Sequence, residues 1–393
     1  MRRLTALAIV VLAALAPSFA RAASDPLCTG NYADVTARPA PTLRFGVDPG
    51  VAGSAGNVQL PSAPVNAERE HAALRALRPG RRQLVLRLNR MFFSDGEAGI
   101  RRFQRETRSL TQDGFEVELQ VRYHPTAAQA GDLTAWRRYV RRVVDAFGPD
   151  PGVVAMTITN EVNVTFSPNT SDGAFPRAQD ALIEGIEAAH AEALRRGFAH
   201  LHFGFTYAYR FDPGNDVAFF ERLATRGGRA FRAALGFVGL DFYPGAIYPP
   251  LLPAGDTFRH EFVQAAGVLR RCLLARAHVD ARVPIWVTET GVSSASAGEG
   301  GQAAALVALA RAARDYGRTL GVTDFRWFNL RDSIARAGAL TPPPLFAFEG
   351  LLRSDYTRKA AFAAYRSVIA RFGARERARA ARACEKCHRG ACR

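Results

Sequence analysis

Eight short apolar runs alternate with eight longer helical stretches, and this alternation constrains the fold more than any other feature of the sequence. The short runs are rich in β-branched residues, and the longer stretches repeat their apolar residues at helical spacing. The predicted strands cover residues 43–47, 84–88, 117–123, 153–159, 202–206, 238–241, 284–288 and 324–328. The predicted helices cover residues 67–77, 99–111, 133–147, 178–196, 217–233, 257–277, 301–320 and 359–372.

This pattern predicts an α/β protein with a closed (β/α)8 barrel, the TIM-barrel architecture, which commonly takes about 250 residues or more. We expect the barrel to span residues 41–373, after an extension over residues 23–40. A doubly wound open sheet is the alternative topology. It is disfavoured because the first predicted strand runs into GVDPG at residues 46–50, which lacks the glycine pattern of dinucleotide-binding sheets.

The N-terminal segment has the layout of a signal peptide. Arg2 and Arg3 precede an apolar run over residues 4–15, and small residues at positions 20 and 22 predict cleavage just before Ala23. The apolar run is too short to cross a bilayer of roughly 30 Å as a helix. We therefore expect residues 1–22 to be removed and the mature chain to be secreted or extracytoplasmic. We do not expect an integral membrane protein.

The strong positive charge does not predict nucleic-acid binding. The formal net charge is +16, and it is carried almost wholly by arginine, since lysine occurs only at Lys359 and Lys386. The basic residues are scattered without the aromatic interleaving that single-strand binders use. Their one concentration is at residues 371–393, and we expect the tail at residues 374–393 to be disordered or to form a single basic helix. The sequence favours a monomer with no nucleic-acid partner.

Five cysteines leave several pairings open. The motif CEKCH at residues 384–388 has the spacing of a c-type haem attachment site, and three tail cysteines with His388 are a conceivable zinc set. Little chain surrounds either site, so we expect neither cofactor nor metal. A disulfide within the tail, or from the tail to Cys28, is the expectation in an oxidising compartment, with Cys272 buried in a helix. The tail cysteines are Cys384, Cys387 and Cys392.

Two glutamates stand where predicted strands end. The fourth predicted strand runs into TNEVN, which contains Glu161, and the seventh runs into TETG, which contains Glu289. A single glutamate at such a place often caps a helix or forms a salt bridge. Catalytic groups of this barrel lie at the carboxyl ends of the strands, and strands four and seven face each other across it. Two carboxylates in one pocket are able to divide acid and nucleophile roles, as in glycosidic bond cleavage.

The pair Asn160-Glu161 together with Glu289 resembles the pattern of glycoside hydrolase clan A, the retaining TIM-barrel enzymes that include families 5 and 39. The resemblance extends to Tyr243 after the sixth predicted strand, to Trp327 at the eighth, and to the closing stretch at residues 350–362. It implies hydrolysis of O-glycosidic bonds in an oligo- or polysaccharide by double displacement. Glu289 would be the nucleophile and Glu161 the general acid/base. Tyr243 would hydrogen-bond the nucleophile, and Asn160 the sugar 2-hydroxyl.

Further strand-end residues are candidates for the substrate pocket, each with an ordinary structural interpretation beside it. Arg87 is able to pair with a buried carboxylate, His124 to be a hydrogen-bonded loop residue, and Tyr207 to pack in the core. An indole suits the apolar face of a pyranose, whereas a core tryptophan needs a partner for its N–H. The loop at residues 163–177 is expected to cover one side of the cleft. The substrate-binding candidates are Asp48, Arg87 or Asn89, His124, Tyr207, Tyr209 and Trp327.

Two functions of other classes compete with hydrolysis. A carbohydrate-binding barrel without catalysis would have the same fold, but the presence of both glutamates argues against it. An electron-transfer or metal-carrying protein would use the tail, and removal of residues 374–393 separates this case, because a hydrolase keeps its activity without them.

Overall fold

Eight parallel strands close into a barrel in the computed structural model, which describes residues 25–55, 58–80, 82–209, 212–249, 257–333 and 345–375. The strands are β1 (Arg44–Val47), β2 (Leu84–Phe92), β3 (Glu116–Arg122), β4 (Val153–Ile158), β5 (His202–Ala208), β6 (Phe237–Phe242), β7 (Ile285–Thr290) and β8 (Val322–Trp327). Each pairs with its sequence neighbour, and β1 pairs with β8 to close the ring. The predicted (β/α)8 barrel is confirmed. The predicted signal peptide and the tail from residue 376 lie outside the described residues.

One of the following eight helices comes after each barrel strand in chain order. The helices are α1 (Ala67–Leu77), α2 (Gly96–Gln112), α3 (Leu133–Phe147), α4 (Ala178–Arg196), α5 (Pro213–Ala234), α6 (Phe258–Val268), α7 (Ser294–Asp315) and α8 (Ala360–Phe372). A π-helical turn at Leu269–Leu273 and a last turn at Leu274–Arg276 continue α6. Within the described ranges, no helix is both long enough and apolar enough to cross a membrane.

Side-chain caps explain where several helices begin. The carboxylate of Asp132 accepts the backbone N–H of Ala135 at the start of α3, and Asn66 accepts that of Arg69 at the start of α1. Asp212 caps α5 in the same way, with Pro213 in the first turn. Such caps satisfy backbone N–H groups that have no partner within the helix. The sequence therefore encodes these helix starts locally.

Charged side chains fill the lower barrel interior in place of an apolar core. The buried Glu118 on β3 accepts the Arg87 guanidinium at 3.2 Å and pairs with Arg326 on β8 at 3.2 Å. Arg326 also pairs with Asp324 at 2.9 Å. Gly46 on β1 makes room for this network, since a Cβ there would lie 2.4 Å from the Arg326 Cδ. Because buried charges are stable only when paired, the network holds Arg87 in place directly below the barrel mouth.

The N-terminal extension is tied to the barrel by a disulfide between Cys28 and Cys272, whose Cα atoms lie 5.8 Å apart. The expectation that Cys28 pairs with the tail was therefore wrong, whereas the expected burial of Cys272 holds. The extension packs on α6, where the Gln264 side chain accepts the N–H of Tyr32 and donates to the carbonyl of Gly30. This packing brings the two sulfurs together across 244 residues of sequence, and such a pairing is typical of an oxidising compartment.

Candidate active site

Three acidic side chains converge at the carboxyl ends of the strands. Glu161 follows β4, Asp241 lies on β6 and Glu289 on β7, and one carboxylate oxygen from each lies within 4.8 Å of the other two. All three are buried. The structure thus brings together the two glutamates that the sequence singled out and adds a third acid that it did not.

The backbone after β4 adopts an uncommon conformation that presents Glu161. Thr159 and Glu161 have positive φ angles of 68° and 46°, in a region that side-chain-bearing residues seldom adopt. The N–H of Glu161 donates to the Thr206 hydroxyl at 3.0 Å, and the N–H of Asn160 donates to the Asp172 carboxylate at 2.9 Å. These bonds hold the strained turn, which directs the Glu161 side chain into the mouth of the barrel.

The Glu161 carboxyl lies in a poorly solvated position beside another acid. Burial raises its pKa to about 7, and the nearby negative charge of Glu289 adds to this rise. The Ser171 hydroxyl donates to Glu161 Oε2 at 2.7 Å and opposes the rise, because it stabilises the ionised form. Glu161 therefore holds a proton close to neutral pH, which is the requirement for a general acid.

The Glu289 carboxylate has the opposite surroundings. Each of its oxygens accepts a hydrogen bond, one from the Arg87 guanidinium and the other from the Tyr243 hydroxyl at 2.7 Å. Burial, followed by the charge of Glu289, holds the pKa of Tyr243 well above its ordinary value, so this hydroxyl stays a donor. A buried cation and a permanent donor both stabilise the anionic carboxylate. The two neighbouring glutamates thus lie in different electrostatic surroundings.

Asp241 lies deeper than the two glutamates. Burial, and then repulsion by Glu289, raises its pKa well above the ordinary range, and the Thr288 hydroxyl donates to it at 2.7 Å. The three acids offer oxygen atoms of the kind that hard cations bind. The Arg87 guanidinium, however, already supplies the positive charge at Glu289, so an ion there would face a buried cation.

Hydrogen bonds orient the Asn160 amide on both sides. Its oxygen accepts from the Gln120 amide and from the Thr206 hydroxyl, at 3.1 Å for the latter. Its nitrogen donates to the Thr170 carbonyl at 2.8 Å and lies 3.4 Å from Glu161 Oε2. Asn160 therefore lines the cleft in a defined rotamer next to the acid.

Glu161 and Glu289 open into a cleft of about 150 Å³. The loop at residues 163–177, predicted to cover one side, contributes Phe166, Ser167, Asn169, Thr170 and Ser171 to its wall. An aromatic wall lies opposite, where Phe328 and Phe346 pack edge-on against Tyr243. The remaining polar lining residues are Ser54, Asn89, Arg90, Arg122, Asn160, Glu161 and Glu289.

Two aromatic residues proposed for the pocket lie in the core instead. The Trp327 indole is fully buried and donates to the Glu349 carbonyl at 2.8 Å, and the Tyr207 hydroxyl donates to Asp216 at 2.9 Å. Side chains of a strand alternate between its two faces. Arg326 and Thr206 point into the barrel, so the residues after them point outwards. Phe328, one position beyond Trp327, reaches the cleft.

Of the other candidates, Asn89 lines the cleft and Tyr209 packs against Phe242 and Tyr248. The last three lie around the site without lining the cleft. Arg87 is fully buried and bonds Glu289, as the ordinary interpretation of this residue allowed, although its partner is the proposed nucleophile. Asp48 is buried next to Arg87, and burial raises its pKa to about 7. His124 packs between the rings of Phe92 and Phe175, at centroid distances of 4.7 and 4.8 Å.

Several residues of the site were not singled out from the sequence. On β3, the polar residues Glu118, Gln120 and Arg122 alternate with apolar ones, a period of two that marks a polar inward face and was a usable signal. Ser171 gave no such signal, because only the fold of its loop brings it to Glu161.

Comparison with solved structures supports the fold. The catalytic domain of a GH53 protein from Ignisphaera aggregans matches with a TM-score of 0.55 and 14% identity, over 85% of this chain and 99% of that one. GH5_18 from Streptomyces cattleya, solved with GlcNAc, matches with a TM-score of 0.56 and 15% identity, over 86% and 81%. The GH1 beta-glucosidase from Exiguobacterium antarcticum B7 matches with a TM-score of 0.55 and 13% identity, over 86% and 99%.

These matches agree with the resemblance noted in the sequence, since all three structures are clan A glycoside hydrolases. No family model matches the sequence, and no curated protein matches it. At such low identities the likeness shows the fold alone, a (β/α)8 barrel.

Proposed function

We propose that this chain hydrolyses O-glycosidic bonds of an oligo- or polysaccharide with retention of configuration, with Glu289 as nucleophile and Glu161 as general acid/base. The observation that carries the proposal is the pairing of two neighbouring carboxyls in opposite surroundings. Glu289 accepts two hydrogen bonds that stabilise its anion, whereas burial raises the pKa of Glu161 to about 7. Such a division between two carboxyls is what glycosidic cleavage requires.

The separation of the carboxyls supports the retaining course. Oxygen atoms of Glu161 and Glu289 lie within 4.8 Å of each other. Retaining enzymes hold the two groups about 5–5.5 Å apart, whereas inverting enzymes keep roughly 6.5–9.5 Å to admit a water between acid and base. The approach of the nearest oxygens is closer to the retaining spacing than to the inverting one, so the geometry favours direct attack by Glu289.

In the first step, Glu289 bonds to the anomeric carbon while the bond to the departing oxygen breaks, and that oxygen takes the proton of Glu161. In the second step, Glu161 accepts a proton from water, the water oxygen bonds to the anomeric carbon, and the bond to Glu289 breaks. The hydrogen bonds from Arg87 and Tyr243 stabilise the negative charge that returns to the Glu289 carboxylate. Asn160, oriented by three neighbours, is placed to bond a sugar hydroxyl next to the reacting carbon.

The direct test is the anomer that is released first. Purified chain is incubated with aryl β-glycosides of glucose, xylose, mannose, galactose and arabinose, and the product of any cleaved member is followed by NMR before mutarotation. Retention supports the proposal, and initial release of the opposite anomer would exclude Glu289 as nucleophile. Binding of oligosaccharides without cleavage of any aryl glycoside or polysaccharide would favour a binding barrel.

The pH profile of the reaction tests the role of Glu161. The acid form is active, so kcat/KM is expected to fall above about pH 7, by roughly tenfold per pH unit once Glu161 ionises. Ser171→Ala removes a bond to the ionised form and therefore moves this alkaline limb to higher pH. A limb that stays in place in Ser171→Ala and persists in Glu161→Gln would assign the titration to another group.

We also propose that the chain is exported. The signal-peptide layout of residues 1–22 and the disulfide between Cys28 and Cys272 both support an oxidising location. The mass of the protein recovered outside the cytoplasm tests this, because cleavage before Ala23 predicts a chain that begins at that residue.

A further inference from the structure

A bulge in β2 turns two adjacent polar residues towards the cleft. Leu88 pairs with Leu119 and Met91 with Val121, so β2 has one residue more than β3 between these points. The extra length falls on Asn89 and Arg90, and Arg90 has a φ of 69°. Bulges commonly change the direction of side chains next to active sites, and a left-handed backbone conformation is strained for an arginine. The strand thus departs from regular geometry where it presents Arg90.

The Arg90 guanidinium lines the cleft without a bonded counter-ion. Within the described part of the chain, no hydrogen bond or ion pair reaches it, although Asp48, Arg122 and Glu289 lie near enough to act on it electrostatically. Its two arginine neighbours differ. Arg122 is bonded to Asp172 at 2.8 Å, and Arg87 to Glu118 and Glu289. Arg90 is therefore a partly buried cation that is open to a ligand.

The neighbouring Asn89 has an unmet hydrogen-bonding capacity. Its side-chain oxygen is buried, and no partner for it occurs among the described residues. Asn89 also lines the cleft. A buried polar atom without a partner is costly, and in native structures it calls for an unseen partner. A sugar hydroxyl beside the group bound by Arg90 would supply one.

The Arg90 guanidinium lies against the backbone of Gly53, where a side chain would occupy the same space as the guanidinium. A Cβ at Gly53 would lie 2.0 Å from Nη1 and 2.5 Å from Cζ of Arg90. The Gly53 backbone therefore contacts the guanidinium, which also lines the cleft. An arginine held in this way loses little freedom when it binds a planar or tetrahedral anion.

We propose that the cleft binds a sugar that carries an anionic group, with Arg90 pairing to the anion and Asn89 to an adjacent hydroxyl. The inference rests on the proposed function, since it names the substrate class of the same cleft. A neutral sugar in the cleft would leave the guanidinium without a partner. A site with such a polar group discriminates against ligands that lack the matching group, because their binding leaves the group of the site unpaired. The shared chemistry is that of a carboxylate in a hexuronic acid or a sulfate ester on a hexose.

The test measures binding separately from hydrolysis. The full chain is titrated by ligand-observed NMR with glucuronate, glucose 6-sulfate and glucose, and with the corresponding galactose series. Free sugars present both anomers, so the linkage need not be known. We expect an anionic member to bind about 10- to 100-fold more tightly than its neutral counterpart, the range of a charged hydrogen bond. Preference for uronate or for 6-sulfate identifies the anion.

Three variants assign the preference to Arg90. Arg90→Gln is expected to abolish the discrimination while binding of the neutral sugar stays within about threefold. Gly53→Ala, which displaces the guanidinium without removing its charge, is expected to act in the same direction. Arg101→Gln is the matched control, because Arg101 is exposed on α2 away from the cleft. Unchanged melting temperatures identify variants that remain folded.

Equal binding of neutral and anionic sugars would overturn the proposal, and so would a preference that survives in Arg90→Gln. The same ligands tested as aryl glycosides separate this outcome from the fate of the proposed function. Anion-selective binding that depends on Arg90, without cleavage of any glycoside, would retain the subsite and reject the hydrolase. Cleavage of neutral glycosides in preference to anionic ones would retain the hydrolase and reject the subsite.

Discussion

Glu289→Ala is expected to reduce hydrolysis of an activated aryl glycoside by roughly 10⁵-fold or more, the scale seen when an enzymatic nucleophile is removed. The variant loses the atom that attacks the anomeric carbon, while Glu161, with its pKa raised to about 7 by burial, remains able to protonate the leaving group. Added azide is expected to restore cleavage, because the shortened side chain leaves space for a small anion. The azide product should have the inverted configuration, since only one displacement takes place.

Glu161→Ala provides the contrast for this variant. With a good leaving group the first step needs little protonation, whereas with a poor one the loss should reach about 10²- to 10⁴-fold. Glu349→Gln is the matched control, because Glu349 is also buried near Glu289, and burial raises its pKa well above the ordinary range, so the amide mimics its neutral form. Azide is also expected to accelerate Glu161→Ala, because it attacks the glycosyl-enzyme without a general base, but that product keeps the configuration of the substrate. An inverted azide product from Glu161→Ala together with a retained one from Glu289→Ala would reverse the two assignments.

The barrel was predictable because its pattern is local and repeated. Helices α1, α3 and α4 have the bounds that apolar periodicity predicted, and capping residues mark two of these starts. Strand β2 extends to Phe92, beyond the predicted end at residue 88, because pairing with β3 resumes after the bulge at Asn89 and Arg90. A bulge interrupts the alternation from which strand length is read, so the sequence pattern ended early.

The position of the two glutamates at one end of the barrel was predictable, because a carboxylate at the end of an apolar strand is a local signal. The aromatic candidates Trp327 and Tyr207 were wrong for the pocket because the direction of a side chain depends on which residue of a strand faces inwards. The alternating polar residues on β3 indicate which positions of that strand face inwards, and the ion pair between Arg326 and Glu118 in the structure shows it for β8. Sequence spacing alone did not.

The disulfide and the loop contacts depend on tertiary structure that no local pattern encodes. Cys28 meets Cys272 because the N-terminal extension runs along α6, and Ser171 meets Glu161 because Asp172 bonds back to the end of β4. Neither approach leaves a periodic signal in the sequence. The position of the Arg90 guanidinium also depends on tertiary structure. It is set by the bulge in β2 and by contact with Gly53, which lies in a different part of the chain.

Arg87→Met is expected to lower the free energy of unfolding by about 3–5 kcal/mol, the usual cost of removing one partner from a buried ion pair. The same variant should lose about 10²- to 10³-fold in kcat, because the guanidinium that bonds Glu289 stabilises its charge as the covalent intermediate forms and breaks. Chemical denaturation gives the first value. Kinetics well below the unfolding transition give the second, so loss of folded protein does not enter it.

Arg326→Met separates the two effects, because Arg326 is equally buried and pairs with the same Glu118, but it lies lower in the barrel and does not bond Glu289. It should destabilise the fold to a similar extent while kcat per folded molecule stays near that of the wild type. Arg87→Lys keeps the charge but loses the planar guanidinium that bonds both Glu118 and Glu289. We expect its kcat to lie between those of the wild type and Arg87→Met. Equal losses of kcat in Arg87→Met and Arg326→Met would show that Arg87 acts through the stability of the barrel. A loss confined to Arg87 would mean that this guanidinium acts on the proposed nucleophile directly, through its bond to Glu289.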